Sequence, residues 1–346
     1  LLIAGSATFL MGVLPTYATI GIWAPVLLVT LRFVQGFSFG GEYAGAVLMV
    51  AEYAPPERRG FFSGFVPAGS PVGLMLANGT VLLVALMPRE QFLAWGWRLP
   101  FLFSIVLVAI GLYIRLKIYE TPAFRRVRET RTEARMPIID VLRRSPGRVL
   151  LAGGISFGFA AIFYITIIFL LSYGTSQLGI SGSVLLVGTI IGAVFQIATI
   201  LGFNALSDRI GRRPVIIGGA LVSAALAFPF FWLLQSGAPA LVWLAITAMM
   251  VSSAAIYGPL AVLLAELFGT RLRYSGASLG YQLGATIGGG FSPLIATSIL
   301  AWSGGGPWPV ALYLVAVGLV AAACTYLLTE TVRADMLEDV PAVGYE

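Results

Sequence analysis

The sequence predicts an all-α polytopic membrane protein built from two helical bundles, and three observations predict it. The 346 residues are 58% hydrophobic and only 10% charged, with a mean hydropathy of +0.93, against about 25% charged residues in an ordinary soluble domain. The apolar residues run in continuous stretches of about 20 or more, the length a helix needs to cross a bilayer; a membrane barrel would show alternating stretches of about 10. One arrangement of charged residues occurs twice, 212 to 214 residues apart. A single cysteine, Cys324, excludes a disulfide scaffold, and the absence of histidine excludes histidine metal sites, triads and proton relays.

Apolar runs bounded by glycine, proline and charge clusters place ten spans. The first covers residues 1–18. The second, 22–52, carries Arg32, Gln35 and Glu42 and closes on Ala51-Glu52. The third, 60–87, follows Arg58-Arg59 and contains Pro67, Gly69, Pro71, Gly73 and Asn78. The fourth, 98–118, opens at Trp95-Gly96-Trp97-Arg98. From Glu120 to Gly147 runs the one long polar segment, rich in arginine and ending in the amphipathic Ile138, Ile139, Val141 and Leu142. It is expected to lie helically on the inner membrane surface as a connector between bundles. The fifth span, 148–174, holds Tyr164, and the sixth, 183–206, holds Gln196. A short turn, Ser207 to Pro214, leads to the seventh, 214–235. The eighth, 240–266, contains Tyr257 and closes on Ala265-Glu266. The ninth, 274–302, follows Arg271 and Arg273 and contains Tyr281, Gln282, Gly284, Gly288, Gly289, Gly290 and Pro293. The tenth is 308–329. The expected domains are an N-terminal bundle (1–118), a cytoplasmic linker (119–147), a C-terminal bundle (148–329) and a cytoplasmic tail (330–346).

Of the 21 Lys and Arg residues, 18 fall in alternate loops, the linker or the tail; Arg89 and Arg98 fall on the other side and Arg32 lies within a span. By the positive-inside rule those 18, the linker and the C-terminus face the cytoplasm across the plasma (inner) membrane. The net charge of +6 is thus topogenic, and nucleic acid is not an expected partner.

The repeat pairs Ala51-Glu52, Arg58-Arg59 and Ser63-Gly64 with Ala265-Glu266, Arg271, Arg273 and Ser275-Gly276. Both copies sit at a cytoplasmic hairpin in the same orientation, which implies two parallel bundles related by an axis along the membrane normal. The repeat partner of Ser207–Pro214 would fall just before Leu1. Six spans follow the linker and four precede it, so two N-terminal spans are expected to be missing from the N-terminal bundle.

The turn has a physical logic. Gly211 suits a tight backbone bend. Asp208 can accept hydrogen bonds from the free amides of a neighbouring helix start, expected near Gly60, and Arg212 or Arg213 can reach Glu266. With Glu52, Arg58, Arg59, Arg209, Arg271 and Arg273 these residues make a candidate breakable cytoplasmic gate; the alternative is a basic turn that only fixes topology.

Arg32 and Glu42 are the only charges deep in a span, each costly there by several kcal/mol unless paired or wetted. Ten residues apart, they stand about 15 Å apart along a helix and about 80° around it, too far to pair with each other. Arg32 is a candidate carboxylate ligand or proton-state sensor, or a structural group bonding a neighbour's carbonyls. Glu42 is a candidate proton carrier, or part of a Gly-Gly-Glu packing feature. Gln35, Asn78, Tyr164, Gln196, Tyr257, Tyr281 and Gln282 complete the candidate solute and proton pathway, each with the alternative of a helix-to-helix hydrogen bond.

Asp208-Arg209-Ile210-Gly211-Arg212-Arg213 and Arg32-Phe33-Val34-Gln35-Gly36 resemble two motifs of the major facilitator superfamily. Gly40-Gly41-Glu42, Glu52 to Gly60, Trp95 to Phe101, Glu120-Thr121-Pro122 and Arg273 to Gln282 are similar to its metabolite:proton symporters, which carry shikimate, 2-oxoglutarate, citrate, proline or betaine. The resemblance implies two pseudo-symmetric six-helix bundles and proton-coupled symport of a small organic acid or zwitterion by alternating access, by a monomer without cofactors. Two departures stand out. Asn204 replaces a usual glycine, and Ser156-Phe157-Gly158-Phe159-Ala160 replaces a usual run of basic, acidic and Asn residues in the fifth span. Alternatives are proton-independent facilitated diffusion and an inactive truncated chain. An intramembrane enzyme would need clustered nucleophiles, bases or metal ligands, and the sequence shows none.

Overall fold

The computed structural model describes residues 2–39, 42–117, 137–269 and 272–332, and the regular structure of these residues is helical. Among the described residues ten apolar helices carry the fold: α1 (Leu2–Val13), α2 (Trp23–Tyr53, its residues 40–41 outside the described set), α3 (Pro56–Val84), α4 (Gly96–Ile114), α5 (Pro146–Ser176), α6 (Gly182–Ile210), α7 (Arg212–Gln235), α8 (Pro239–Leu267), α9 (Arg273–Trp302) and α10 (Trp308–Leu327). Among the described residues, α2 to α10 are long and apolar enough to cross a membrane, and α1 is shorter. The expected first span, 1–18, is corrected to these 12 residues. Pro15 disfavours helical backbone at the residue before it, and the chain resumes as the short helix Tyr17–Ile20. Of the polar connector, Pro137–Arg144 is helical, with Val141 buried and Ile138, Ile139 and Leu142 exposed; the expectation for 118–136 lies outside the described residues.

Two compact units result, Leu1–Tyr43 with Leu76–Glu120, and Ala44–Met75 with Thr121–Glu346. In the first, Gly12 allows α1 close to α4: a Cβ there would stand 2.9 Å from the Cβ of Phe101. Arg98 then donates to the carbonyls of Gly12 (2.8 Å) and Leu14 (2.7 Å), satisfying acceptors that the end of α1 leaves open. Its guanidinium lies 4.5 Å from the Trp97 ring centroid.

In the second unit, four glycines at four-residue spacing, Gly276, Gly280, Gly284 and Gly288, face close neighbours along α9. Gly284 lies against the carbonyl of Gly153, and a Cβ on Gly288 would stand 2.5 Å from the carbonyl of Phe157. Small residues on one helical stripe permit this backbone approach between α5 and α9. Both helices contain a π-helical segment, Ile165–Phe169 in α5 and Thr286–Phe291 in α9, where the hydrogen-bond ladder widens by one residue.

Candidate functional site

A dense polar constellation lies within the second unit, at the ends of α6 and α8 and the starts of α7 and α9. Gly211 occupies the turn between α6 and α7 with φ of 103°, a backbone region that L side chains rarely adopt. One turn earlier, Asp208 accepts from two amides of the helix Arg59–Ser63: Gly60 N–H to Oδ1 (2.8 Å) and Phe61 N–H to Oδ2 (2.9 Å). A carboxylate at a helix start meets free donors and the positive end of the helix dipole. Gly60 allows this approach, since a Cβ there would fall 2.6 Å from Asp208 Oδ1.

Arg212, whose side chain is 1% exposed, ties three groups together. Its Nη1 donates to Asp208 Oδ1 (2.6 Å) and Ser207 Oγ (2.8 Å). Its Nε and Nη2 form a fork on Glu266 Oε2 (3.3 Å) and Oε1 (3.1 Å), the two-point geometry that suits guanidinium and carboxylate. Glu266 also accepts from the Thr331 hydroxyl (2.7 Å) and stands 3.7 Å from Arg59 Nη1. Arg273 Nη1 stands 3.9 Å from Glu52 Oε1 and its Nε donates to the Phe268 carbonyl (3.1 Å).

These last two ion pairs are reciprocal. Glu266 follows Glu52 by 214 residues and Arg273 follows Arg59 by the same 214. Each repeat therefore presents its arginine to the other repeat's glutamate, as in a two-fold interface where residue i meets j and j meets i. At 3.7 and 3.9 Å they are charge contacts longer than hydrogen bonds.

Other sequence candidates go elsewhere. Arg213, expected as a possible partner of Glu266, instead donates to the carbonyls of Thr325 (3.1 Å) and Tyr326 at the end of α10; it starts a helix on a different face from Arg212. Arg58 and Arg209 are exposed, and Arg271 lies outside the described residues. Asn204 is fully buried and donates to the Ile200 carbonyl (2.9 Å). Its amide fits because glycines flank it: a Cβ on Gly64 would stand 2.9 Å from Asn204 Nδ2, and one on Gly258 would collide with the same atom.

Sequence reasoning missed Glu330, Thr331 and Arg148. Glu330 caps α7 by accepting from the backbone amides of Arg212 (2.9 Å) and Arg213 (3.0 Å), and Arg148 donates to the Leu267 carbonyl (3.3 Å) at the end of α8. A signal for the first was present, because Glu330-Thr331 follows α10 as Glu120-Thr121 follows α4, 210 residues earlier.

The pathway candidates divide. In the first unit Arg32 is exposed and donates to Gln35 Oε1 (3.1 Å), and Gln35 Nε2 donates to Thr8 Oγ1 (2.7 Å). Glu42 and Asn78 are half-buried. In the second unit Tyr164 is exposed and Gln282 half-buried. Tyr257 is buried, stacked on Phe159 at 4.1 Å between centroids and hydrogen-bonded to Tyr281. Gln196 is fully buried and donates to Ser253 Oγ (3.1 Å). In this structure Gln196 and Tyr257 are therefore helix-to-helix contacts, because their side chains turn into the packed seams.

The sequence profile described as Major Facilitator Superfamily matches residues 1–280. The shikimate transporter of Escherichia coli (strain K12) is 40% identical over 337 residues, covering 95% of this chain and 76% of that protein. The glycine betaine/proline/ectoine/pipecolic acid transporter OusA of Dickeya dadantii (strain 3937) is 34% identical over 361 residues, covering 99% and 70%. Among solved structures, the proton:xylose symporter XylE bound to 6-bromo-6-deoxy-D-glucose superposes with a TM-score of 0.74 at 19% identity, covering 95% of this chain and 79% of that one.

Proposed function

The chain belongs to the Major Facilitator Superfamily and is a multi-pass membrane transporter of metabolites, and from that premise we propose that it carries a small organic acid or zwitterion together with a proton by alternating access. The observation that carries the reading is the cytoplasmic charge cluster, in which Asp208, Arg212 and Glu266 hold the start of α3 through Gly60, Phe61 and Arg59. Buried ion pairs suit a two-state closure. Their desolvation offsets much of their attraction, so closed and open arrangements can lie within the few kcal/mol over which a solute shifts a population. Around this gate the proposed organisation is an N-terminal bundle (1–118), a linker, a C-terminal bundle (148–329) and a tail, with linker and tail on the cytoplasmic side of the inner membrane.

The solute class follows from Arg32, a fixed cation with open N–H groups within a span, which recognises a carboxylate. The named solutes of the relatives, shikimate and glycine betaine, each carry one. Glu42 is the proposed proton carrier. The protein works as a monomer in the bilayer.

The test is uptake of labelled shikimate and glycine betaine into proteoliposomes under an imposed pH gradient, acid outside. Accumulation above the equilibrium level that a protonophore abolishes supports symport. Uptake that only equilibrates and ignores the protonophore and Glu42→Gln supports facilitated diffusion instead.

A further inference from the structure

Arg32 does not stand alone on α2. A one-way chain of hydrogen bonds links it to α1: the Thr8 hydroxyl donates to the Ala4 carbonyl (2.8 Å), Gln35 Nε2 donates to Thr8 Oγ1 (2.7 Å), and Arg32 Nη1 donates to Gln35 Oε1 (3.1 Å). The direction of this chain is forced. The Ala4 carbonyl can only accept, so it takes the single proton of the Thr8 hydroxyl, which leaves Thr8 Oγ1 to accept. Arginine has donors and no acceptor. Gln35 must therefore turn its NH2 to Thr8 and its carbonyl to Arg32; the opposite amide orientation would set donor against donor at Arg32. Ser38 Oγ adds a bond to the Gln35 carbonyl of the main chain (2.6 Å).

We infer that Thr8 is a positioning residue for solute recognition, acting through Gln35 to fix the orientation in which Arg32 presents its guanidinium to the carboxylate of the solute. Gln35 is the one hydrogen-bond partner of Arg32 among the described residues, so one N–H of five is used and four are left for a ligand. An arginine on its long stem samples many rotamers in the absence of a fixed partner, and ordering it at the moment of binding lowers affinity. The anchor from α1 lowers that cost by holding Gln35 in place before the solute arrives. Thr8 touches no solute. It acts only through the amide it orients.

The inference rests on the proposed role of Arg32, and the experiment separates the two. The full-length protein in proteoliposomes is assayed by counterflow of labelled shikimate and of glycine betaine, as wild type, Thr8→Val, Thr8→Ser, Gln35→Met, Arg32→Lys and Thr8→Val with Arg32→Lys. Thr8→Val preserves shape and removes the acceptor. The expected result is a rise in KM of about fivefold with the maximal rate kept, the change corresponding to one net hydrogen bond. Thr8→Ser should restore wild-type KM, Gln35→Met should match Thr8→Val, and the double variant should be no worse in KM than Arg32→Lys alone. A merely structural role would lower the maximal rate and the amount of folded protein without this KM pattern. Arg32→Lys impaired with Thr8→Val and Gln35→Met at wild-type KM overturns the inference and leaves the role of Arg32 standing. Arg32→Lys at wild-type KM overturns both.

Discussion

Asp208 holds Gly60 across 148 residues of sequence: Oδ1 takes the Gly60 amide at 2.8 Å while the same oxygen receives Arg212 Nη1 at 2.6 Å. One carboxylate oxygen thus serves a helix start and a buried cation together. Asp208→Asn removes the charge and turns one of the two acceptor positions into a donor facing a donor. Charge-assisted hydrogen bonds contribute about 1.5–3 kcal/mol each. The expected outcome is normal insertion, measured as membrane yield, with uptake reduced by about tenfold or more. Unchanged uptake would show that the turn sets topology only.

Within the cluster the cost of a single deletion should follow burial. Glu266→Ala leaves the Arg212 guanidinium, 1% exposed, without its two-point partner. Arg212 keeps Asp208 but loses two charge-assisted hydrogen bonds, each contributing about 1.5–3 kcal/mol, so thermal denaturation in detergent should drop by several degrees and yield should fall. Arg59 stands 3.7 Å from Glu266 with a side chain that is 10% exposed and makes no two-point fork on that carboxylate, so Arg59→Ala should cost less. The comparison of the two melting shifts checks the ranking.

The reciprocal pair offers a sharper probe. Because Arg273 meets Glu52 as Arg59 meets Glu266, the charge exchange Glu52→Arg with Arg273→Glu should recover part of the transport that either single change abolishes. A double-mutant cycle on uptake measures the recovery, and coupling energies of about 0.5–3 kcal/mol are the range for residues in contact. Additive losses would mean that the 3.9 Å contact carries no coupling.

The ten helices were legible because their apolar runs are long and their ends are marked by charge, glycine and proline. The hairpin repeat also placed Asp208 near Gly60 and joined Glu266 to the same group, since symmetry converts sequence offset into spatial correspondence. What could not be read was direction around each helix. A span apolar on all faces has no polar side to set its phase, so Gln196 and Tyr257 looked equivalent to Tyr164 and Gln282, and only packing distinguishes the buried pair. The π-helical segment Ile165–Phe169 carries no glycine or proline to announce it. For Glu330 and Thr331 the repeat with Glu120-Thr121 marks the dipeptide, but which helix start it caps depends on where α7 begins in space.

Asn204 shows how a departure from the family pattern is accommodated. Its amide occupies the space that Gly64 and Gly258 leave, so each glycine is required by the asparagine rather than by its own backbone conformation. Gly258→Ala should therefore destabilise the protein by about 1–3 kcal/mol, the range for overpacking a filled interior, read as a lower melting temperature. Asn204→Gly in the same chain should relieve the collision and recover much of that loss. Failure of the second change to rescue the first would place the strain at the Ile200 carbonyl, 3.2 Å from the added Cβ.

Arg98 tests the first unit in the same way. Both of its hydrogen bonds go through Nη1 to carbonyls at the end of α1, at 2.8 and 2.7 Å, where a cation also meets the negative end of the helix dipole. Arg98→Ala removes both bonds and the contact with Trp97, and should lower stability by about 2–4 kcal/mol, on the scale of one to two hydrogen bonds from a charged donor. Arg98→Lys keeps the charge but not the planar group over the indole, and should fall between the two. The checks are the melting temperature and the rate of limited proteolysis after Val13, where freed carbonyls let the last turn of α1 fray. A lysine variant as unstable as the alanine variant would show that the stacking on Trp97, at 4.5 Å, rather than the capping of α1, is what the arginine supplies.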